Sequence, residues 1–526
     1  MNTGRLFTLS LWFVSAAMML GPKEAHCQAP TARWQQNLGG AADDLLFAAQ
    51  PTADGGWIVG GSSSSPAGGN KTSTSYGGKD FWVVRLDASG AKVWDKSFGG
   101  AGDDLLFSVQ QTEEGGFVLG GYSASAPGGN KTSANYGLGD MWIIRLDASG
   151  NKIWEQTCGG TGEDGLFAVQ QTGDGGFVCA GYSYSTAGGN KNSANFGGSD
   201  FWLVRLDANG AKLWDKSYGG ADDDTCYSLQ QVTNGIVLAG ASLSVRGGGK
   251  TSVNYGGTDF WLVRTDASGN KLWDQSYGGT GEDGVLSVSV LPTGDGGFLL
   301  GGDSTSKADG TKTSPAYGQE DFWVVRVDST GKQLWDRSFG GTGSDLLTGM
   351  QPGPNGGFVL AGGSSSGVTG NKTSASFGGT DFWVVGIDSA GSKLWEQDFG
   401  GDGFDGNYNV SLAAAPDGGF LVAGDSTSGA TGNKTNANLG GIDFWAVKLD
   451  STSAPKLWPE PTQDLAGKGF LLWLQGTAGH TYVTEFTTNY VNWSPFSTNQ
   501  VTGAAVEIVD PYSSSARYRF YRAREQ

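Results

Sequence analysis

The chain has 526 residues, 38% hydrophobic and 12% aromatic, with 91 glycines, 15 prolines and a formal net charge of −18. That apolar content supports a large core and excludes a disordered chain. The acidic balance opposes nucleic acids and anionic membranes, whose phosphates it would repel.

Residues 1–27 read as a secretory signal. Arg5 gives a positive start, Leu6 to Leu20 an apolar stretch, and cleavage fits after Cys27. No later apolar run approaches the roughly 20 residues of a membrane span. The expected mature protein is secreted, without a membrane span, and monomeric. Its cysteines, Cys158, Cys179 and Cys226, are odd in number and stand where sister repeats carry Phe98, Leu119 and Leu106. Buried thiols are expected there, not a disulfide framework.

From residue 31 the chain repeats. Tryptophans in a K-x-W setting recur at 34, 94, 154, 214, 273, 335, 395 and 458, spaced by 60, 60, 60, 59, 62, 60 and 63 residues. Each unit carries four strand-like runs, in the first unit 44–50, 56–62, 80–87 and 92–98. The third run is apolar on both faces, so its sheet must be covered on both sides. A four-stranded sheet between copies of itself is a propeller blade. The first three runs occur seven times and the fourth eight times, because "RWQQNLGG" (33–40) precedes the first unit. That extra strand fits a closed ring, whose last blade it completes. The late counterpart "KLWPEP" is broken by Pro459 and Pro461. The expected fold is an all-β seven-bladed propeller over 31–458, with length differences between repeats falling in the short turns. A linker (459–463) and a small all-β module (464–526) follow.

"DGGFVCAG" (174–181) followed by "FWLVRLDANGAKLW" (201–214) resembles the repeats of secreted bacterial propellers. That resemblance spans about four fifths of the chain and implies surface or secreted binding and scaffold roles. The "D-x-x-G-x-K-x-W" piece is also similar to the tryptophan-docking motif of quinoprotein propellers. There the Asp-to-Gly spacing is one residue longer and a Thr precedes the Gly. The tail, ending in "RFYRA", resembles a small module found at the C-termini of secreted bacterial proteins.

One side of such a ring carries tight Asp-Gly turns, and the other carries the 17-residue loop 63–79 and its six counterparts. Each loop has a lysine (Lys71, Lys131, Lys191, Lys250, Lys312, Lys372, Lys434) nine residues before the Asp that opens strand three. A charge-assisted bond between the two would close the loop; a ring of lysines facing an anionic ligand is the alternative. Five residues after each lysine stands Tyr76, Tyr136, Phe196, Tyr255, Tyr317, Phe377 or Leu439. The single Leu suggests a buried anchor, while a stacking platform for an extracellular polymer is the rival reading. Asp44, Asp104, Asp164, Asp224, Asp283, Asp345 and Asp405 open the innermost strands. They are expected to converge at the channel mouth, either capping their turns or holding a calcium ion. Otherwise no cofactor is expected.

The one histidine after the signal, His480, lies in the tail, which removes His-based catalysis from the propeller. The residues that break the sevenfold pattern are Asp303, Asp425, Arg246 and Gly386. A non-enzymatic binding or scaffold propeller, engaging an extracellular polymer or protein through its long-loop face, is expected. The alternative is a polysaccharide hydrolase or lyase, or a quinoprotein-like enzyme.

Overall fold

The structure is a computed structural model that describes residues 29–450, 456–459, 470–475, 481–488, 493–501, 506–510 and 519–525. The expected signal peptide lies outside these residues, as does most of the expected linker.

Residues 32–449 form seven four-stranded antiparallel sheets arranged as propeller blades. Blade 1 comprises Asp44–Pro51, Trp57–Ser63, Asp80–Leu86 and Lys92–Phe98, numbered here as strands 1 to 4, and blades 2–6 repeat this order to Phe399. Strands 1 of successive blades lie against one another around the whole ring. Blade 7 takes Asp405–Ala414, Phe420–Ser426 and Asp443–Leu449 from one end of the chain and Ala32–Leu38 from the other. Trp34 pairs with Lys448 and Leu38 with Phe444, which repeats the Trp94–Arg85 and Phe98–Phe81 register of blade 1. The extra strand therefore closes the ring, as its position in the sequence predicts.

The "D-F-W" at the start of strand 3 explains why that strand is apolar on both faces. Phe and Trp point to opposite sides, because side chains alternate along a strand. The Phe of one blade then meets the Trp of the next: Phe81–Trp142 at 4.8 Å, Phe201–Trp261 at 4.6 Å, Phe382–Trp445 at 4.8 Å, and Phe444–Trp82 at 4.6 Å across the closure. Met141 fills the Phe role toward Trp202. Each core cluster of the propeller is thus shared by two adjacent blades. Cys158, Cys179 and Cys226 are free and buried within them.

Two expectations need correction. The strand Lys456–Pro459 does not end the propeller. It pairs with Phe470–Gln475, Trp458 opposite Trp473, in a three-stranded sheet with Val506–Asp510. The edge it would occupy in blade 7 is already taken by Ala32–Leu38. The extra length of blades 5 and 7 also lies elsewhere than in the turns. Their first strands, Asp283–Pro292 and Asp405–Ala414, are ten residues long, and the bulge that every first strand carries is longer in them, between Asp283 and Val288 and between Asp405 and Val410. Only blade 4 differs in its hairpin, where Asn234 adopts φ 64°.

Deleting residues 32–38 strips the outer edge of strand 443–449 and removes the cross-strand neighbour of Phe444. Losing the burial of Leu38 and most of Trp34 should cost roughly 3–5 kcal/mol. A lowered melting temperature with loss of amide-exchange protection in 443–449 is expected; unchanged melting would contradict the closure.

Candidate functional site

The long loops form an overlapping belt. Asn130 of the second loop clamps the outer strand of blade 1, donating Nδ2 to Ser97 O at 2.9 Å while its Oδ1 accepts Gly99 N at 2.9 Å. Asn70, Asn190, Asn371 and Asn433 repeat this clamp on the preceding blade. The other side of each loop is tied to its own blade. Asp95, the residue after the strand-4 tryptophan, accepts Thr72 N at 3.0 Å and Ser73 N at 2.9 Å. Burial opposes its charge, yet bonds from Lys92, Thr72 and Ser73 hold its carboxyl well below the usual range. Glu155 and Asp215 do the same in blades 2 and 3. Sequence reasoning missed this acid, although it follows the tryptophan in six of the repeats.

The seven lysines are not on the surface. Each is 1–3% exposed, and its Nζ lies 5.0–5.8 Å from the centroid of the strand-3 tryptophan. Lys71 donates to Ser73 O at 3.0 Å and Ser97 Oγ at 2.9 Å, and Lys250 to Ser242 Oγ at 2.7 Å. The ammonium bonds serine groups and not the strand-3 Asp, and it is buried under the loop and not presented to solvent. Only Lys372 makes a direct ion pair, with Asp398 at 2.6 Å. Burial lowers the Lys250 and Lys312 ammonium groups to about 8.

Asp44, Asp104, Asp164, Asp224, Asp283, Asp345 and Asp405 are 0% exposed and do not open on the channel. Each caps its own blade-joining turn: Asp44 Oδ2 accepts Gly40 N at 2.8 Å and Ser65 Oγ at 2.9 Å. Each also faces the strand-3 Asp of the preceding blade across a glycine. A Cβ on Gly99 would lie 1.9 Å from Asp80 Oδ1 and 2.9 Å from Asp104 Oδ2, which accounts for the repeated Gly-Gly. Among the described residues no three acidic, Cys or His side chains converge as a metal-binding group. Burial first, and then the facing Asp164, Asp224 or Asp283, raise Asp140, Asp200 and Asp259 to about 7. Asp321 and Asp443 rise to about 6 for the same reason.

The loop aromatics are only half buried. Tyr76 and Tyr136 are 37% exposed and Phe377 43%, with Tyr255 and Tyr317 intermediate. The inner side of each ring rests on the next loop. A Cβ on Gly129, whose φ is +59°, would sit 2.9 Å from Tyr76 Cβ, and Gly189, Gly248, Gly370 and Gly432 repeat this seat. The outer side of Tyr76 borders a cleft of about 470 Å³ between blades 1 and 2, with Thr74, Lys96, Asn130 and Asn151. On the inner wall an aromatic arc links blades 1 to 4, with centroids 5.0 Å apart for Phe47–Phe107, 4.9 Å for Phe107–Phe167 and 5.1 Å for Phe167–Tyr227.

The pattern-breaking acids have a structural task. Asp303 and Asp425 face the bulged first strands of blades 5 and 7, where their Oδ1 atoms lie 3.4 Å from Leu286 N and Asn409 N. Burial raises Asp303 to about 6.

No family model matches the chain. A regulatory protein of Caulobacter vibrioides, FlaEY, is 25% identical over 308 residues, which is 54% of this chain; the match spans about a third (32%) of that protein. Solved propellers align at low similarity: the Pan2 WD40 domain of Neurospora crassa at 12% identity and TM-score 0.41, over 79% of this chain and 96% of that one. A fungal alcohol oxidase in complex with copper aligns at 11% identity and TM-score 0.41, over 95% and 97%. The fold assignment rests on this chain's own strand pairing.

Stability should peak in mildly acidic solution. The strand-3 aspartates have raised folded values, so their contribution is complete below pH 4 and is lost as pH rises through about 6 to 7. Asp95 and Asp215, held low, lose theirs as pH falls below the ordinary carboxylate range. Melting followed from pH 3 to 7.5, below the range where the lowered lysines titrate, should show a maximum near pH 4–6; a steady rise from pH 5 to 7.5 would contradict the buried pairs. Millimolar calcium at pH 8 tests the cation expectation for the strand-1 aspartates, Asp44 and its six equivalents. A stabilisation reversed by chelator supports it, and no shift leaves turn capping as their role.

Proposed function

We propose that this chain is a secreted, non-enzymatic propeller that binds a repetitive extracellular polymer through the clefts between its long loops. The observation that carries this reading is the recurrence of a half-exposed ring on successive long loops, which at Tyr76 stands beside a polar cleft between blades 1 and 2. Tyr76, Tyr136, Tyr255 and Tyr317, with Phe196 and Phe377, supply flat apolar contact, while the Thr, Asn and Lys groups beside Tyr76 supply hydrogen bonds. The buried lysines take no part in contact and instead hold the loops that present the rings. Similar apolar rings spaced round the propeller suit a ligand with its own repeat, because weak contacts add through avidity. A signal peptide at 1–27 would deliver the protein to where such polymers lie. The FlaEY match, to a regulatory protein, is in keeping with a role in interaction. Asp303 and Asp425, the acids a hydrolase reading would choose, each serve a separate bulge.

Binding to a polysaccharide panel, run beside product assays on the same polymers, tests the reading. Tyr136→Ala alone should weaken binding less than about threefold. Combined replacement of Tyr76, Tyr136, Phe196 and Phe377 by Ala should weaken it more than about tenfold. Unchanged binding by the combined variant, or turnover abolished by Asp303→Asn in a variant with normal melting, would overturn it.

A further inference from the structure

On the opposite side of the ring, strand 3 of most blades carries a cation beside the strand 1–2 hairpin. Arg85, Arg145, Arg205 and Arg326 each use Nη1 to hold backbone carbonyls and Nη2 to hold an acid of their own hairpin, Asp54, Glu114, Asp174 and Asp295 respectively. In blade 7, Lys448 reaches Asp417 at 3.1 Å. Blade 6 has lost both halves together: Gly386 replaces the arginine, Asn355 replaces the acid, and Trp395 fills the space beside Gly386.

Blade 4 has lost only the acid. Its hairpin is one residue shorter, with Thr233 and Asn234 between the paired Val232 and Gly235. Arg264 keeps the backbone anchor, Nη1 to Ile236 O at 3.3 Å, but its Nη2 meets only the Thr233 carbonyl at 3.0 Å. No described acid pairs with it. Asp266, whose charge acts on it, has both oxygens engaged by Ser268 and Asn270. Arg264 instead lines a cavity of about 570 Å³ between blades 4 and 5, together with Gln231, Thr233, Thr293, Phe298 and Ser329.

We propose that this cavity binds a small carboxylate, of the size of a hexuronate or an amino acid, on Arg264 Nη2. The sister blades are internal templates for the contact: both oxygens of Asp174 and of Asp295 lie 2.6–2.7 Å from the corresponding Nη2. The guanidinium is anchored in the same way in blade 4, so the ligand meets a pre-positioned donor. A half-buried guanidinium that lacks the hairpin acid of its sisters, with only the already bonded Asp266 acting on it, is poorly compensated, and blade 6 shows the repeat can discard it when the acid is gone. The overall negative charge does not preclude an anion here. Asp174 and Asp295, on the neighbouring hairpins, are paired with Arg205 and Arg326, Asp266 is bonded by Ser268 and Asn270, and more distant charges are screened beyond about 8 Å at physiological salt.

The test is titration of the full chain, followed by NMR or calorimetry, with sodium D-galacturonate and with N-acetyl-L-aspartate, using D-galactose as the neutral control. One site for either carboxylate and none for galactose is expected. Galacturonate alone would identify an acidic sugar as the source, and N-acetylaspartate alone an amino acid or peptide end. Arg264→Gln should weaken binding roughly tenfold or more. Replacing residues 232–235 with the blade 3 turn Thr-Gly-Asp-Gly-Gly supplies an internal acid and should block the site even if the Arg264 variant folds poorly. Asp174→Ala should open a second, equivalent site on Arg205. Failure of both carboxylates to bind at tens of millimolar, or binding that persists in Arg264→Gln and in the grafted turn, would overturn the proposal.

Discussion

The ring depends on the handover between the Phe and the Trp at the head of each third strand. A blade alone would leave two apolar faces in water, and each face is covered only when a neighbour supplies the matching ring. Seven such junctions leave no exposed face once the first and last blades meet at Phe444 and Trp82. The amino-terminal strand matters for this reason: its pairing with 443–449 holds those two blades in one closed array. Met141 shows that the contact tolerates any large apolar group, so area burial outweighs ring geometry.

Around this apolar frame the chain buries many charges. Each long loop places a lysine over the tryptophan of its own blade, within reach of serine hydroxyls and of aspartates from strands 1 and 3. Such groups are costly to desolvate singly, and their mutual bonds make the loop adopt one conformation. Fixed loop length follows from that network, because a single inserted residue would detach Asn130 from the neighbouring blade or Thr72 and Ser73 from Asp95. The belt is rigid scaffold, and what it offers to solvent is the ring that each loop seats on the next glycine.

Departures from sevenfold symmetry separate into two kinds. Where the bulge of strand 1 is lengthened, in blades 5 and 7, an aspartate accompanies it on strand 2, so the change is compensated locally. Blade 6 is likewise compensated, since cation and acid disappear together. Blade 4 is not, and Arg264 keeps its place beside a cavity. An uncompensated departure within an otherwise self-consistent repeat is where binding chemistry is best sought.

The repeat period, the four strands per unit and the surplus strand at residue 33 determined the seven-bladed ring without any coordinates, because local patterning and strand count leave few ways to cover a sheet apolar on both faces. The loop lengths also marked the belt as ordered. Burial could not be read in the same way. A lysine in a glycine-rich loop looks solvent-facing in sequence, yet tertiary packing puts Lys71 and its six sisters over tryptophans, 1–3% exposed. The aspartates of strand 1 looked like a channel ring, but each is turned to the N–H groups of its own turn, where it faces and repels the aspartate of the blade before it. The missing partner of Arg264 was equally hidden, since Asp54 and Arg85 stand 31 residues apart and only the folded hairpin brings them together. Which strand fills the last edge was legible in the chain; which charges meet across a junction was decided by the closed ring, where residues distant in sequence share one low-dielectric space.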